Sequence, residues 1–383
     1  MTRTHRKLEL GMRKAVLFSG ILLSFLTFSL FPRQKTRNEL KKEITVTIAS
    51  VGDIFIHKSV LNAFFREKTY NFSPAFSEIS PYLKEVDLAT AWFGGALDTI
   101  GPYTGYPLFK TPEDLARAMR EAGFSLLFRT NHTLDYGEKG LRKTTEILKK
   151  YGISQVGAYI SEEESKEIFI FEEESLKIAF LSYTYGTNGI PIPKPWMVNL
   201  IDTLKIKEDI RRAKEKADFV IVALHFGIEY QRKPNQEQKQ IARSVAESGA
   251  DLIIGSHPHV IQPVELLTLS NRKKVYCAYS LGNFFCGQRM RFTDTGIILK
   301  YKIAKEKDKT ELKEINYLPV WIAKYQENGK YQFKILPLKK ALKLYEEGKL
   351  EYLKTKEYKR MKEASEETVS HINNLEISFQ EFE

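Results

Sequence analysis

The sequence predicts a mixed α/β protein in which short buried strands alternate with amphipathic helices. Apolar runs of strand length recur along the chain and end at Gly, Asn, Asp or His. Segments with helical periodicity lie between these runs. With 383 residues, of which 43% are hydrophobic, the chain is long enough to bury a large core.

The first element is an uncharged, apolar segment of 17 residues, 15–31, which follows a short basic segment, 1–14. Its length is close to the lower limit of about 17–25 residues for a spanning helix. It is also longer than the apolar region of a typical cleaved signal peptide. We therefore predict a transmembrane signal-anchor at 15–31, with a cleaved signal peptide as the alternative. A charged linker, 32–43, follows it.

The positive charge of the chain is concentrated near its beginning. Residues 1–44 hold ten Lys and Arg against three Glu, whereas the whole chain carries +11, so the other residues carry only +4. Lysines and glutamates are interspersed over that remainder. The distribution argues against a nucleic-acid-binding face. The two cysteines are interpreted as free, partly buried thiols, although a disulfide would be possible outside the cell.

A single domain is predicted over 44–340, followed by a charged helical tail over 341–383. The tail is expected to pack against the domain; a partner-binding helix is the alternative. In chain order, the predicted strands are 44–57, 86–93, 124–130, 176–186, 218–230, 250–259, 274–285 and 295–303. The predicted helices between them are 74–85, 111–123, 137–152, 203–217 and 235–249.

Local signals support several of these helix boundaries. Thr111 and Pro112 are typical of the first positions of a helix, and Gly123 is typical of its end. Asn235 is predicted to cap a later helix in the same way.

Five of the seven histidines follow predicted strands closely. Because ligands of open α/β sheets bind beyond the carboxyl ends of strands, these histidines are expected to converge there. Imidazole nitrogens bind Mn, Fe or Zn, and Asp53 and Asn131 could supply oxygen ligands. The histidines concerned are His57, His132, His225, His257 and His259.

The paired histidines in "GADLIIGSHPHVIQPVE", residues 249–265, would point to opposite faces of a continuing strand. Gly255 and Pro258 favour a turn instead, from which both rings could reach neighbouring ions. Two ions about 3.5–4 Å apart can bind the attacking and the leaving oxygens of a phosphoryl transfer. Asp135 could orient the His132 ring, or could simply cap the next helix.

These segments together resemble the CapA/PgsA family of capsule and poly-γ-glutamate synthesis proteins. The resemblance covers about 45–290. It implies a calcineurin-like metallophosphoesterase fold, a layered β-sandwich flanked by helices, with a membrane anchor and an extracytoplasmic body. The motifs that carry it are "VGDIFIH" (51–57), "GYPLFKTPEDL" (105–115), "TNHTLDYGEKGL" (130–141), "LHFGIEY" (224–230), "GADLIIGSHPHVIQPVE" (249–265) and "YSLGNF" (279–284).

The resemblance also implies roles for individual residues. It implies divalent metal ions (Mn, Fe or Zn), which could form a pair, at Asp53, His57, Asn131, His225, His257 and His259. His132 matches the histidine that contacts substrate or protonates a leaving group. Glu229 would be a base or a supporting residue. Asp135, selected above from its spacing to His132, is kept with them as a catalytic candidate.

Two departures from the family pattern bear on this site. Where the family usually has Asn-Leu-Glu, this chain has Trp92-Phe93-Gly94, so the carboxylate expected to bridge two ions is missing. Asp98 is the nearby candidate to replace it. The family's usual Ala-Asn before Asn-His is Arg129-Thr130 here, which places a cation near the expected ions.

Two hypotheses follow. In the first, the chain is a membrane-anchored component of capsule or poly-γ-glutamate synthesis or export, which binds an anionic polymer or other membrane subunits at a metal- or anion-binding site. In the second, it is a metal-dependent hydrolase of a phosphoester or a cell-envelope amide bond. Whether the chain is an enzyme stays open at this point. Nucleic acid is not expected as a partner.

Overall fold

The computed structural model of the chain describes residues 43–373 and 380–381. The predicted anchor, 15–31, and the basic segment before it lie outside the described residues. Among the described helices, none is both long and apolar enough to cross a membrane.

The bounds of the elements are as follows. The strands are β1 Ile44–Phe55, β2 Phe65–Arg66, β3 Thr69–Tyr70, β4 Leu88–Phe93, β5 Ala96–Asp98, β6 Lys110–Pro112, β7 Phe124–Arg129, β8 Ser154–Val156, β9 Phe169–Glu173, β10 Leu176–Thr184, β11 Phe219–His225, β12 Leu252–Ser256, β13 Val264–Thr268, β14 Lys274–Ala278, β15 Asn283–Cys286, β16 Thr295–Glu306, β17 Lys309–Glu327, β18 Lys330–Pro337 and β19 Gln380–Glu381. The helices are α1 Lys58–Phe64, α2 Ser73–Phe76, α3 Ser80–Lys84, α4 Asp114–Ala122, α5 Gly137–Lys150, α6 Glu162–Lys166, α7 Thr203–Lys214, α8 Gln236–Glu247, α9 Leu338–Glu346 and α10 Thr355–Asn373.

Most strands belong to two large sheets. The larger sheet has the order β18-β17-β16-β1-β4-β7-β8, with β15 paired to β1 and β19 to β17. Its β1, β4, β7 and β8 run parallel, while β16, β17 and β18 are antiparallel. The smaller sheet has the order β13-β14-β12-β11-β10-β9 and is parallel except at its two edges.

The two sheets face each other across a shared apolar core. Trp92 and Phe128 from the larger sheet and Phe180, Ile221 and Ile254 from the smaller sheet belong to it. Helices α1 to α5 cover the outer face of the larger sheet, and α7 and α8 cover that of the smaller. The layers are therefore helix, sheet, sheet and helix, and the prediction of a mixed α/β protein is confirmed.

The last two helices pack on the antiparallel end of the larger sheet. Leu338 of α9 and Met361 of α10 are buried with Trp321 of β17. Arg360 of α10 donates two hydrogen bonds, of 2.9 and 2.8 Å, to the carboxylate of Asp294, which also accepts one from the Trp321 indole (3.0 Å). Helix α10 is thus tied to the segment that precedes β16.

Some predicted helix boundaries are confirmed and others are wrong. Asn235 caps α8 through a reciprocal capping box with Gln238. Helix α4 begins at Asp114 rather than near Thr111, because 110–112 pair with β5 as strand β6. The helix predicted over 74–85 is two short helices, α2 and α3.

Candidate functional site

Polar side chains from both sheets meet at the carboxyl ends of the parallel strands. Asp53 lies near the end of β1, and Asn131 follows β7 in the larger sheet. His225 is the last residue of β11, and His257 follows β12 in the smaller sheet. The strand-end rule therefore places side chains from opposite sheets within one site.

Asp53 has a carboxylate that is fully buried. Neither of its oxygens has a hydrogen-bond partner among the described residues. His259 Nδ1 lies 3.1 Å from Oδ2, and His225 Nδ1 lies 3.9 Å from Oδ1. Gly52 allows the backbone to approach here, because a Cβ on it would stand 1.8 Å from the Gly282 oxygen. A buried carboxylate is costly unless a cation compensates it.

Asn131 determines which tautomer His225 adopts. The Asn131 amide nitrogen donates to the Tyr185 hydroxyl (3.1 Å) and to Asn188 Oδ1 (2.8 Å), so its Oδ1 faces His225 Nε2 at 3.0 Å. Burial, reinforced by His257 and other neighbouring histidines, holds the pKa of His225 well below its usual value. His225 is therefore neutral, with the proton on Nε2 and a lone pair on Nδ1.

Strand β12 ends at Ser256 and the chain bends at the two histidines that follow, so they do not continue the strand. Both His257 (φ 111°) and His259 (φ 59°) have positive φ, which is uncommon for residues other than glycine and is often found at functional sites. Gly255 is required because a Cβ there would lie 2.1 Å from the Tyr279 oxygen. The ring centroids of the two histidines are 6.1 Å apart.

His257 and His259 differ in their protonation. Burial, together with His259 and His132, lowers the pKa of His257 to about 3, so its ring is neutral. Its Nδ1 has no hydrogen-bond partner within the part of the chain that the structure describes. Burial also opposes the charge on His259, but the Asp53 carboxylate outweighs it and raises the pKa. His259 Nδ1 makes its hydrogen bond with Asn283 Oδ1 at 3.0 Å.

His132 and Asp135 form a pair on another side of the site. His132 Nδ1 lies 2.8 Å from Asp135 Oδ2, which also accepts a hydrogen bond from the Phe109 backbone N–H at 2.7 Å. The N-cap of α5 is Tyr136, so Asp135 supports the His132 ring instead of capping the helix. The Asn188 amide nitrogen is 3.3 Å from His132 Nε2.

The other predicted residues lie at the rim or outside the centre. His57 Nδ1 accepts a hydrogen bond from the Gly287 N–H (3.1 Å), and burial lowers its pKa to about 4. Glu229 is exposed, and its charge acts on His259. The Asp98 carboxylate accepts hydrogen bonds from backbone N–H groups of its own loop and forms an ion pair with Lys110 at 3.9 Å. None of these partners is a histidine of the site.

A ring fills the space where the bridging carboxylate is expected. A Cβ on Gly94 would be 1.9 Å from Phe55 Cε1. Trp92 is buried with its ring centroid 5.2 Å from that of His225. Arg129 is fully buried and donates from Nη2 to the Gly95 oxygen at 2.9 Å.

The donor chemistry of the site fits a divalent cation. Four atoms, Asp53 Oδ1 and Oδ2, His225 Nδ1 and His257 Nδ1, are buried without a hydrogen-bond partner in the described residues, and we call them the open acceptors. Carboxylate oxygens and neutral imidazole nitrogens are ligands for Zn, Mn and Fe. Over the same residues, no group of three or more His, Cys, Asp or Glu side chains is placed so that it could hold a metal ion, so binding would require these side chains to shift.

Tyr185 and Asn188 are site residues that the sequence analysis missed. Both lie just after β10, and Tyr185 packs on His257 with the ring centroids 4.5 Å apart. The strand-end rule that selected the histidines also covers this position. Asn283, which contacts His259, lies in the quoted "YSLGNF" motif but was not singled out.

The chain belongs to the family described as "Bacterial capsule synthesis protein PGA_cap", which it matches over residues 47–288, more than half of its length. It is 29% identical over 272 residues to "Capsule biosynthesis protein CapA" of Bacillus anthracis, covering 67% of this chain and 64% of the relative. It is 31% identical over 201 residues to "PGA biosynthesis protein CapA" of Bacillus subtilis, covering 51% of each. The chain thus spans about half to two-thirds of these relatives. The resemblance inferred from the motifs is confirmed.

Two solved structures are similar in backbone. A 5'-nucleotidase precursor from Thermus thermophilus has 14% identity and a TM-score of 0.47, covering 73% of this chain and 54% of the other. The calcineurin-like phosphoesterase YfkN from Bacillus subtilis has 14% identity and a TM-score of 0.41, covering 87% and 100%. TM-scores this low do not by themselves establish a common fold.

Proposed function

We propose that this chain is a membrane-anchored component of capsule or poly-γ-glutamate synthesis or export, with an extracytoplasmic body of calcineurin-like metallophosphoesterase fold. The family and the printed functions of the two CapA relatives support this role. The uncharged segment 15–31 supports the anchor. An anionic polymer and other membrane subunits are the proposed partners, and the nearly balanced charge after residue 44 argues against nucleic acid.

The observation that carries the proposal is the fully buried Asp53 carboxylate, which lies beside His225 and His259. His259 can compensate this charge, but the unpartnered nitrogens of the neutral His225 and His257 rings beside it cannot, so the cluster as a whole indicates a cationic ligand. Asp53, His225 and His257 would hold a divalent cation through the open acceptors. When bound, the ion would supply a Lewis acid that polarises an oxygen of an anionic group.

The remaining side chains support this centre. Asn131 holds the His225 proton on Nε2, which keeps Nδ1 available as a ligand atom. Asp135 fixes the His132 ring, whose Nε2 can exchange a proton with a bound group. Asn188 and Tyr185 orient Asn131 from the opposite sheet.

The role is tested by complementation in a polymer-forming host from which the chromosomal copy has been deleted. The wild-type chain is expected to restore capsule polymer, whereas Asp53→Asn and His257→Ala are expected to leave it strongly reduced at equal protein levels. Asp98→Asn and His371→Ala are matched controls outside the site and should restore polymer. Full polymer in the Asp53→Asn strain would contradict the proposal.

A second candidate function, hydrolysis of a phosphoester or amide bond, is favoured by the His132–Asp135 pair. A carboxylate that orients an imidazole is typical of acid–base catalysis. His132→Gln should abolish release of phosphate or amine from a cleaved substrate while the protein still binds metal. Unchanged turnover in this variant would reject the hydrolytic site.

A further inference from the structure

The ring of Phe55 occupies the space beside Gly94, where strands β1 and β4 end. A Cβ on Gly94 would lie 1.9 Å from Cε1, 2.6 Å from Cζ and 2.7 Å from Cδ1 of this ring. Gly94 does not have a positive φ, so the restriction is steric. Any side chain at this position must displace Phe55.

Aromatic neighbours hold the Phe55 ring in this place. Phe55 is 2% exposed, and its ring centroid lies 5.4 Å from that of Phe109. The rings of His132 and His259 stand edge-on to it at 5.2 and 5.5 Å. Because these rings surround it, Phe55 cannot move aside without disturbing both histidines. Phe55 is therefore a fixed apolar part of the site.

Three polar side chains of the site each have one atom engaged in a hydrogen bond. His132 Nδ1 is paired with Asp135, and His57 Nδ1 accepts from the Gly287 N–H. Asn131 Oδ1 faces His225 Nε2. The open acceptors provide one carboxylate and two imidazole nitrogens. Imidazole nitrogens such as His132 Nε2 lie outside that set, but Gly94 supplies no carboxylate to bridge two ions, which favours a single ion.

Arg129 adds a positive charge next to Gly94. Its guanidinium is fully buried, donates to the Gly95 oxygen and lies 4.9 Å from the centroid of the Phe93 ring. A buried cation at this point disfavours another cation in the same low-dielectric region.

We propose that Phe55, with Gly94 and Arg129, excludes a second metal ion, so that the site binds one divalent cation at Asp53, His225 and His257. This inference rests on the metal-binding part of the proposed function. It differs from the sequence-based expectation of a possible ion pair, because the missing carboxylate is replaced by an aromatic ring and a cation.

The test is the metal content of the full-length chain purified in detergent, stripped of metal and dialysed against Mn²⁺. Elemental mass spectrometry is expected to give about one ion per chain, and about none for Asp53→Asn. The EPR spectrum should be that of isolated Mn²⁺, without the spin-coupled signal of a pair. Two ions per chain would overturn this inference alone. No ion in the wild-type chain would overturn both it and the metal-binding part of the proposed function.

A double-mutant cycle tests the position of the ring independently of metal. Gly94→Ala is expected to lower Tm by several degrees, and Phe55→Leu in the same chain should recover much of that loss. Gly186→Ala is the matched control, because a Cβ there meets nothing within 4 Å and Gly186 does not have a positive φ. An unchanged Tm in Gly94→Ala would show that Phe55 does not fill this space.

Discussion

Replacing Asp53 by Asn should leave the metal-free protein at least as stable as the wild type. The substitution removes a fully buried charge whose one close cationic partner among the described residues is His259, 3.1 Å away. Removing a buried charge of this kind raises the free energy of unfolding by about 1–2 kcal/mol. The raised pKa of His259 depends on the Asp53 carboxylate, so in Asp53→Asn the buried His259 ring is expected to be neutral at pH 8.5, and no unpaired charge stays behind.

The size of the effect on Tm follows from the size of the body. An unfolding entropy of about 2.1 cal/mol/K per residue gives ~0.7 kcal/mol/K, so each kcal/mol shifts Tm by ~1.4 °C. The metal-free variant is therefore expected to melt up to ~3 °C above the wild type. Binding of an ion at 100 times its Kd stabilises the wild type by about 2.7 kcal/mol, or ~4 °C.

Thermal melting at pH 8.5 with and without Mn²⁺ measures both effects. Asp53→Asn should lose the Mn²⁺-dependent shift, whereas Asp98→Asn should keep the wild-type shift. The reasoning would be refuted by a metal-free Asp53→Asn protein that melts well below the wild type and still gains ~4 °C from Mn²⁺.

Three further predictions concern one hydrogen bond of the site and two residues of helix α10. Asn131→Ala should cost about 1–3 kcal/mol in chemical unfolding, because the buried His225 N–H loses its acceptor; an unchanged midpoint would argue against that hydrogen bond. Arg360→Ala should lower the free energy of unfolding by about 2–4 kcal/mol, because it leaves the buried Asp294 carboxylate without its cation. Proteolysis should then cleave α10 faster than in the wild type, and equal cleavage rates would contradict this. Burial lowers the pKa of His371 to about 4, so folding favours its neutral form and stability should fall by about 1 kcal/mol between pH 6.5 and pH 5, after allowance for partial exposure. His371→Gln should flatten this part of the pH–stability profile, and an unchanged slope would show that another group is responsible.

The strand-end positions of the histidines could be predicted because they depend on local patterns. An apolar run that stops at a polar residue identifies the end of a buried strand, and parallel strands bring such ends to one edge. Asp53, His225 and His257 were found in this way. The capping of α8 by Asn235 is a similarly local signal.

The contacts between distant segments could not be predicted from these patterns. The Phe55 ring and Gly94 meet only because β1 and β4 are neighbours with a particular register. Asn188 and Tyr185 reach Asn131 only because the two sheets face each other. The start of α4 was misplaced near Thr111 because β6 pairs with β5, a contact that a local cap signal cannot show.

Because the site is divided between two sheets, the distances between its side chains depend on the distance between those sheets. Asp53 is carried by one sheet and His225 by the other, and their 3.9 Å separation is set by the apolar core between the layers. Phe128 and Phe180 face each other in that core, with their ring centroids 6.2 Å apart. A change of side-chain volume there alters the spacing of the ligands without touching any of them. If the site holds the proposed ion, sequence variation in the interior of this protein would therefore alter the affinity for that ion.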